Sequence, residues 1–342
     1  MIDAKKKIAI AMVMLAAPGL GIIRPAAAQA EPGKLARDTA KDYREAARYP
    51  ASSHALKKGE ADPIQEKRVP TRQTRRGPDD AEPAISVWAA KVSFEKGQPV
   101  DLYATLETNG KAIKNPAEIT GEIVGSTGGV TALVAYRDDG QGPDRKAGDG
   151  TYSARWTPTG IEDAPAASYM VRVRARLANG DLREAAGGFL YSDPAAHLTG
   201  HYRDFLRDGN LVIAAEVDVA ETGRFHLAGT LYTLAGEPIG FAQAAANLEP
   251  GRHWIELSYY GLIFHDRQAA GPYRLGTLAL STATRMPNAL NDVVADAYVT
   301  RSYRVEQMRS ASFERPQLIE SARRLDLDAE RAEREARGMR RQ

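Results

Sequence analysis

The amino-acid sequence predicts an all-β protein made of two β-sandwich domains in tandem, with an N-terminal arm or small lobe and a C-terminal helix. Short segments in which apolar and polar residues alternate recur through most of the 342 residues, as in strands with one buried face. Glycine, asparagine and proline turns separate these segments at the close spacing of β-sandwiches. The alternation stops near Pro316, where a helical pattern begins.

The first part of the chain has the pattern of a secretory signal peptide. Three lysines at 5–7 precede an apolar segment at 8–23 that is broken at Pro18, and an Ala-Gln-Ala cleavage motif ends at Ala30. A retained membrane anchor is the alternative, but the proline and the small-residue motif favour cleavage. We therefore predict a signal peptide over 1–30, no later membrane span, and a soluble mature protein that is periplasmic or secreted.

The composition bears on the partners and on the source of stability. The sequence contains no cysteine, so core packing rather than disulfide bonds must hold the domains together. The formal net charge is +2, and the basic residues occur without the clustered aromatic residues of nucleic-acid binders. Together with export, this pattern argues against nucleic acid as a partner.

Residues 31–83 are predicted to form an N-terminal arm or small lobe. A short helix is expected to begin at Asp38, which would serve as its N-cap. Tyr43, Tyr49 and Ile64 give this segment apolar surface to bury. That surface favours an extended arm packed on the first domain over a partly disordered leader.

Residues 84–192 carry the pattern of the first sandwich. Strands are predicted at 85–88, 99–107, 119–124, 130–136, 152–156, 169–177 and 182–191. The Asn-Gly dipeptides at 109–110 and 179–180 predict hairpin turns. In the sixth of these strands, alternation places Val171, Val173 and Ala175 inward. The arginines at 172, 174 and 176 then point outward. Seven short strands at this spacing indicate a sandwich of the immunoglobulin-like type.

Residues 198–304 repeat this style and predict a second immunoglobulin-like sandwich. Its strands are predicted at 211–219, 225–234, 239–245, 254–257, 273–280 and 293–303. In the first of them, Ile213, Val217 and Val219 are expected to point inward. The two halves share no close sequence repeat, so similarity of fold is all that is expected.

Residues 312–342 are predicted to contain a C-terminal helix that is partly disordered. Pro316 suits the first position of a helix. A thin stripe of leucine and alanine follows, with oppositely charged residues paired at a spacing of four. We expect the first turns to dock on the second domain and the rest to form a solvated, fraying tail.

A dense group of aspartates and glycines connects two predicted strands of the first domain. Asp138, Asp139, Asp144 and Asp149 lie within twelve positions. Glycines allow such a loop to turn back on itself, and clustered carboxylates with loop carbonyls supply the oxygen ligands that calcium takes. We predict a bound calcium ion with Asp139, Asp144 and Asp149 as ligands and Asp138 as a weaker candidate. The alternative is a solvated turn without an ion.

The segment 258–268 is predicted to be a long irregular loop at the end of the second sandwich. It contains Tyr259, Tyr260 and Arg267 and has no clear strand period. Exposed tyrosines offer a rigid, half-polar surface, so these three residues are a candidate binding site for a glycan or a protein. The alternative is that the aromatic residues close the core of the domain.

The sequence contains no nucleophile elbow, zincin motif or phosphate-binding loop. His197 and His201 are four residues apart, with Asp193 and Asp204 nearby, and form an alternative metal site that could hold zinc. The intervening Leu-Thr-Gly is a poor helix, and histidines in linkers are usually polar filler. We therefore predict that the protein is not an enzyme.

Five short strings resemble the DUF4785 family of exported bacterial proteins. They are Tyr-Pro-Ala-Ser-Ser at 49–53, Asp-Pro-Ile at 62–64, Ser-Val-Trp at 86–88, Val-Asp-Leu-Tyr-Ala at 100–104 and Gly-Pro-Tyr-Arg-Leu at 271–275. The loop at 138–152 is similar to the aspartate/glycine loop of bacterial immunoglobulin-like domains of the choice-of-anchor X type. The resemblance implies an N-terminal lobe followed by two immunoglobulin-like domains, with no established enzymatic activity.

The leading functional hypothesis is a non-enzymatic binding or adhesion protein, stabilised by calcium, that presents loops to a glycan or protein ligand at the cell surface or in the envelope. The second is a structural or assembly protein of the bacterial cell envelope, whose arm and helix dock onto a partner. A metal-dependent hydrolase is the third hypothesis.

Overall fold

The computed structural model describes residues 33–77, 82–114, 116, 118–158, 164–282 and 293–339. The predicted signal peptide lies outside these residues and stays a prediction. The described chain is mostly β-sheet with a C-terminal helix, which confirms the predicted β-rich fold. Within this part of the chain, no helix combines the length and the apolar character needed to cross a membrane.

The strands and helices follow one another along the chain in the order of their numbers. The strands of the first half are β1 (Ser53–Ala55), β2 (Gln73–Arg75), β3 (Ala84–Ala89), β4 (Ser93–Glu95), β5 (Val100–Thr108), β6 (Lys111–Ala112), β7 (Glu118–Val124), β8 (Val130–Ala135), β9 (Thr151–Trp156), β10 (Ala167–Arg176) and β11 (Leu182–Ser192). Those of the second half are β12 (Ala196–Arg207), β13 (Asn210–Val219), β14 (Gly223–Thr233), β15 (Pro238–Leu248), β16 (Gly251–Tyr259), β17 (Tyr273–Thr282) and β18 (Val294–Val299). The α-helices are α1 (Lys34–Ala47), α2 (Pro63–Glu66), α3 (Leu262–Arg267) and α4 (Pro316–Met339).

Strands β2 to β11 enclose one apolar core. One sheet has the order β2-β3-β5-β6, with β9 also paired to β5, and the other has the order β4-β11-β10-β7-β8. Buried residues of both sheets form a single hydrophobic cluster. On β10, Val171 and Val173 are fully buried whereas Arg174 and Arg176 are exposed, because successive side chains of a strand point to opposite faces. The predicted alternation is therefore confirmed.

Strands β12 to β18, together with β1, enclose a separate core. One sheet has the order β1-β15-β14-β17-β18 and the other the order β12-β13-β16. On β13, Ile213 and Val217 are fully buried and Val219 is 3% exposed, as the alternation predicts. The buried residues of β10 and β13 are thus ones that the local sequence pattern already identifies as inward-facing.

The predicted arm packs mainly on the second core, and the prediction that it packs on the first domain is wrong for its larger part. Strand β1 pairs antiparallel with β15, with Ser53 opposite Ala242. Tyr49 is 4% exposed within the second core. Only β2, later in the arm, joins the first group of strands by pairing with β3. The edge of β15 offers backbone groups to a further strand, and which sheet edge is open is decided by the tertiary structure.

Asp62 anchors the arm to the second core. The residue is 5% exposed, and its carboxylate accepts hydrogen bonds from the hydroxyls of Thr230 at 2.8 Å, Tyr232 at 2.5 Å and Thr277. The same carboxylate accepts the backbone N–H of Ile64 at 2.8 Å and so caps α2. These hydrogen bonds offset the cost of burying a charged group.

The described residues divide into two compact units, one within 45–316 and a second formed by 33–44 with 317–339. In the described residues of the second unit, Arg37 pairs with Glu333 at 2.7 Å, and Arg44 pairs with Asp326. Ala329 of α4 is fully buried. The expected solvated tail is therefore wrong for the described part of α4, because α1 packs along it.

Helix α1 also differs from the predicted N-terminal helix at its start. It begins at Lys34 rather than at Asp38, so Asp38 lies inside the helix and does not cap it. Gly33 precedes the helix with a φ of 83°, and a Cβ atom there would lie 2.7 Å from the carbonyl oxygen of Ala329. The close approach of α4 therefore requires glycine at this position.

Candidate functional site

The aspartate loop connects β8 of one sheet to β9 of the other, as the sequence predicts. An isolated bridge between Arg137 and Ser153 closes its base. Two glycines have conformations that the loop requires. Gly140 has a φ of 73° and Gly150 a φ of 90°, and a Cβ atom on Gly150 would lie 2.5 Å from the Cβ of Ala112. The glycines therefore fold the loop against the neighbouring hairpin.

Three of the four predicted metal ligands converge in this loop. One carboxylate oxygen from each of Asp138, Asp144 and Asp149 lies within 4.8 Å of the others. Asp144 is buried, Asp138 is half-buried and Asp149 is exposed. Asp139 is outside the group, because its carboxylate accepts the N–H of Gln141 at 3.0 Å in a local turn. The geometry thus reverses the sequence-based ranking of Asp138 and Asp139.

Backbone N–H groups hold the three carboxylates in place. Asp138 accepts hydrogen bonds from the N–H groups of Asp149 at 3.2 Å and Gly150 at 2.9 Å. Asp144 accepts from Gly140 at 2.6 Å and Lys146 at 2.9 Å, and Asp149 accepts from Thr151 at 2.8 Å. These bonds offset part of the repulsion between the carboxylates. The oxygens retain further lone pairs, so the cluster can coordinate a hard cation together with loop carbonyls and water.

An open groove of about 620 Å³ lies beside this cluster on the first group of strands. Trp88 of β3 and Tyr103 of β5 are directly opposite each other in the strand register, and both line the groove. Their rings are stacked with centroids 5.7 Å apart and planes inclined by 23°. Asp144 and Asp149 of the metal cluster also line the groove. The cluster and the groove therefore share two side chains.

Charged groups border the ring pair at both ends. The guanidinium of Arg72 lies 4.6 Å from the Trp88 ring and pairs with Glu107 at 2.6 Å. At the other end, the Tyr103 hydroxyl donates to the carbonyl of Pro143 in the aspartate loop at 3.4 Å. Burial raises the pKa of Tyr103, so its hydroxyl is protonated and can donate at neutral pH.

Sequence reasoning did not select Trp88 and Tyr103 as site residues. A signal was present, because Tyr103 falls on the polar side of a cleanly alternating strand, where an aromatic residue is out of place. The ring pair itself depends on the register between β3 and β5. That register is a property of the folded sheet.

The prediction that residues 258–268 form an irregular binding loop is wrong. Tyr259 ends strand β16 and is fully buried, Tyr260 is 5% exposed, and α3 occupies the following residues. The Arg267 side chain is 13% exposed and pairs with Glu237. The two tyrosines thus belong to the second core, which agrees with the alternative interpretation of this segment, and Arg267 is held in an ion pair at its edge. No binding surface remains to be proposed there.

The alternative metal site at His197 and His201 is not assembled either. Within the described residues, only the aspartate loop brings three potential metal-ligating side chains within 4.8 Å of one another. Both histidines lie on strand β12, which has a register shift between Leu198 and Tyr202, and His201 Nδ1 lies 2.9 Å from Glu216 Oε2. The nearby Asp204 is turned into the core.

Asp204 has its own buried partners. Its side chain is 1% exposed and accepts hydrogen bonds from the hydroxyls of Tyr298 at 2.5 Å and Tyr303. Arg301 completes the set with an Nε contact to the carboxylate at 3.1 Å. This network joins β12 to β18 and to the segment after it, so the burial of Asp204 has a structural explanation.

A family match covers part of the second half of the chain. Residues 195–295 match the family described as Domain of unknown function (DUF4785) C-terminal domain. This finding confirms the DUF4785 resemblance for that segment. A comparison with curated proteins found no match.

Two solved structures show the range of structural similarity. A DUF4785 family protein from Legionella pneumophila is 18% identical with a TM-score of 0.43, and the match covers 65% of this chain and 57% of that chain. CopC from Methylosinus trichosporium is 19% identical with a TM-score of 0.20, and the match covers 30% of this chain and 82% of that chain.

Proposed function

We propose that this chain is an exported, non-enzymatic binding or adhesion protein built from two immunoglobulin-like domains, the first of them of the choice-of-anchor X type. We further propose that calcium binds its aspartate loop and stabilises it. One observation carries the proposal: Asp138, Asp144 and Asp149 converge beside an open groove lined by aromatic rings. Loops held on rigid sheets are where sandwich domains commonly carry recognition.

The chemistry of the loop favours calcium over softer metals. Its candidate ligands are carboxylates, and hard cations such as calcium prefer oxygen ligands. Backbone N–H groups already orient Asp138 and Asp144, so little ordering cost remains when an ion binds. Asp149 is exposed and leaves the cluster open to solvent. An ion can therefore enter without unfolding the loop.

The chemistry of the groove favours binding over catalysis. Its described lining consists of aromatic, proline, arginine, aspartate, alanine and threonine side chains. Histidine, cysteine, serine and lysine, which supply many catalytic bases and nucleophiles, are not among the described lining residues. The aspartates of the lining are held by backbone N–H groups and suit a structural ion.

Calcium is expected to raise the melting temperature of the protein after treatment with chelator. A ligand that binds only the folded state at a hundredfold excess over its Kd adds about 2.7 kcal/mol of stability. The Asp149→Ala variant is expected to lose this calcium response, because Asp149 belongs to the carboxylate cluster. Differential scanning calorimetry with EDTA and with added calcium chloride measures the shift.

The Asp139→Ala variant is the matched control. Asp139 and Asp149 are both exposed and each accepts one backbone N–H group, but only Asp149 lies in the cluster. The control is expected to keep the full calcium response. Equal melting temperatures of the wild-type protein with and without calcium would refute the metal site.

A further inference from the structure

The ring pair provides an aromatic platform in the groove beside polar groups. Trp88 and Tyr103 are both half-buried, so part of each ring faces the groove. The Trp88 ring is stacked on Tyr103 and also lies under the Arg72 guanidinium, so its orientation is fixed and a ligand contacts the exposed edges of the pair rather than the faces of Trp88. Rigid aromatic side chains with a polar edge bind ligands at low entropic cost. The platform therefore suits a ligand that has C–H groups next to hydroxyl groups.

The groove offers hydrogen-bond donors and acceptors together. Arg145 is exposed, and no ion pair ties it to another described residue. Asp149 is an exposed acceptor, and Asp144 lies deeper in the groove. The lining carries both guanidinium groups and carboxylates, so a ligand of a single charge sign that fills the groove would be repelled by part of the lining. A hydroxyl group both donates and accepts, and so can pair with both kinds of side chain.

The size of the groove favours a small ligand over a protein surface. A volume of about 620 Å³ falls among ligand pockets of roughly 300–1,000 Å³. A stable protein interface needs about 800 Å² from each partner, spread over a broad surface. The volume of the groove thus fits a small molecule or a short segment of a larger one better than it fits the surface of a folded protein.

We propose that this groove is a glycan-binding site in which a neutral pyranose ring packs against the exposed edges of the Trp88–Tyr103 pair. Hydroxyl groups of the sugar accept hydrogen bonds from Arg145 and donate to Asp149. The site gives the proposed binding function its ligand class, and it rests on that function. Because Asp144 and Asp149 also belong to the calcium cluster, the ion and the glycan occupy adjoining parts of one site.

Isothermal titration of the full-length protein with neutral and acidic tetrasaccharides tests the proposal. The neutral probes are cellotetraose, maltotetraose and tetra-N-acetylchitotetraose, and the acidic probe is tetragalacturonate. We expect at least one neutral probe to bind more tightly than tetragalacturonate. The Trp88→Ala and Arg145→Ala variants are expected to weaken that binding by about tenfold each, since an aromatic contact or a hydrogen bond from a charged group contributes about that factor.

Trp254→Ala is the matched control for the platform. Trp254 is also a partly exposed tryptophan next to an arginine, with the Arg203 guanidinium 4.3 Å from its ring, but it lies on β16 of the second core. This variant is expected to bind glycan like the wild-type protein. Arg145→Ala keeps the test independent of folding, because the side chain is exposed and outside the core.

The outcomes separate the glycan proposal from the calcium proposal. Absence of binding to all three neutral probes, preference for tetragalacturonate, or binding that neither Trp88→Ala nor Arg145→Ala weakens overturns the glycan site. Each titration is done with calcium and with EDTA. If the protein binds a neutral glycan but its melting temperature does not change with calcium, the glycan site is supported and only the calcium site is refuted. A calcium response without glycan binding does the reverse.

Discussion

Replacing Asp62 with alanine is expected to lower the free energy of unfolding by about 3–5 kcal/mol. The carboxylate accepts hydrogen bonds from Thr230, Tyr232 and Thr277 inside the second core. A buried donor that loses its acceptor costs about 1–3 kcal/mol, and three hydroxyl groups lose theirs in this substitution. Urea-induced unfolding of the variant and the wild-type protein measures the difference.

Glu66→Ala is the control for this substitution. Glu66 is an exposed carboxylate in the same short helix that Asp62 caps. Removing an exposed side chain of this kind is expected to change stability by no more than about 0.5 kcal/mol. If both variants unfold at the same urea concentration, the hydrogen bonds of Asp62 do not stabilise the packing of the arm on the second core.

The same carboxylate makes stability depend on acid pH. Burial raises the pKa of Asp62, but hydrogen bonds from Thr277, Tyr232 and Thr230 lower it by more, so the pKa lies below the ordinary value of 3.8. A folded-state pKa below the unfolded one means that Asp62 adds stability above pH 3.8, which is lost as the pH falls through the folded-state pKa. The Asp62→Asn variant, which cannot titrate here, is expected to lose less stability over this acid range. Urea unfolding from about pH 5 downward compares the two, and parallel curves would contradict the prediction.

Replacing Tyr260 with alanine is expected to destabilise the protein by about 3–5 kcal/mol. The residue is 5% exposed and contacts two other rings edge-on, with centroids 6.4 Å from Tyr49 and 6.1 Å from Phe313. Its hydroxyl donates to the carbonyl of Ala311 at 2.9 Å. Alanine leaves a cavity among these groups, and calorimetric or urea unfolding measures the loss.

Tyr260→Phe separates the ring from the hydroxyl. Phenylalanine keeps the ring contacts and removes only the hydrogen bond to Ala311, so a loss of about 1 kcal/mol is expected. Trp254→Ala, at a side chain that is 37% exposed in the same group of strands, is expected to cost less than Tyr260→Ala. A change of no more than about 0.5 kcal/mol in Tyr260→Ala would show that the ring is not part of the core.

The segment around Tyr260 shows where the sequence pattern failed. Because this segment lacks a strand period, the sequence predicts a loop. In the structure, Leu262–Arg267 form the six-residue helix α3. Leu262, Ile263 and Phe264 are consecutive and all buried. A helix of six residues makes fewer than two turns, so its three buried residues and the three polar residues that follow them show no helical period.

The arm shows a second kind of failure. Asp62 caps α2 through a hydrogen bond from the backbone N–H of Ile64, two residues away. Its buried partners Thr230 and Thr277 lie 168 and 215 residues away in the chain. Nothing in a local window could identify them. The sequence therefore predicts that the arm has apolar surface to bury, but it does not identify the second domain as the one on which most of the arm packs.

The sequence by itself determined the features whose period or composition lies within a few residues. Alternation around Val171 and Val217 identified buried strand faces, and the density of aspartate and glycine identified the loop between β8 and β9. The tertiary structure decided which groups meet. It places Asp138 rather than Asp139 with Asp144, and it sets Trp88 opposite Tyr103. The physical reason is that strand register and loop closure depend on contacts between segments that are distant in sequence, and local backbone preferences do not encode those contacts.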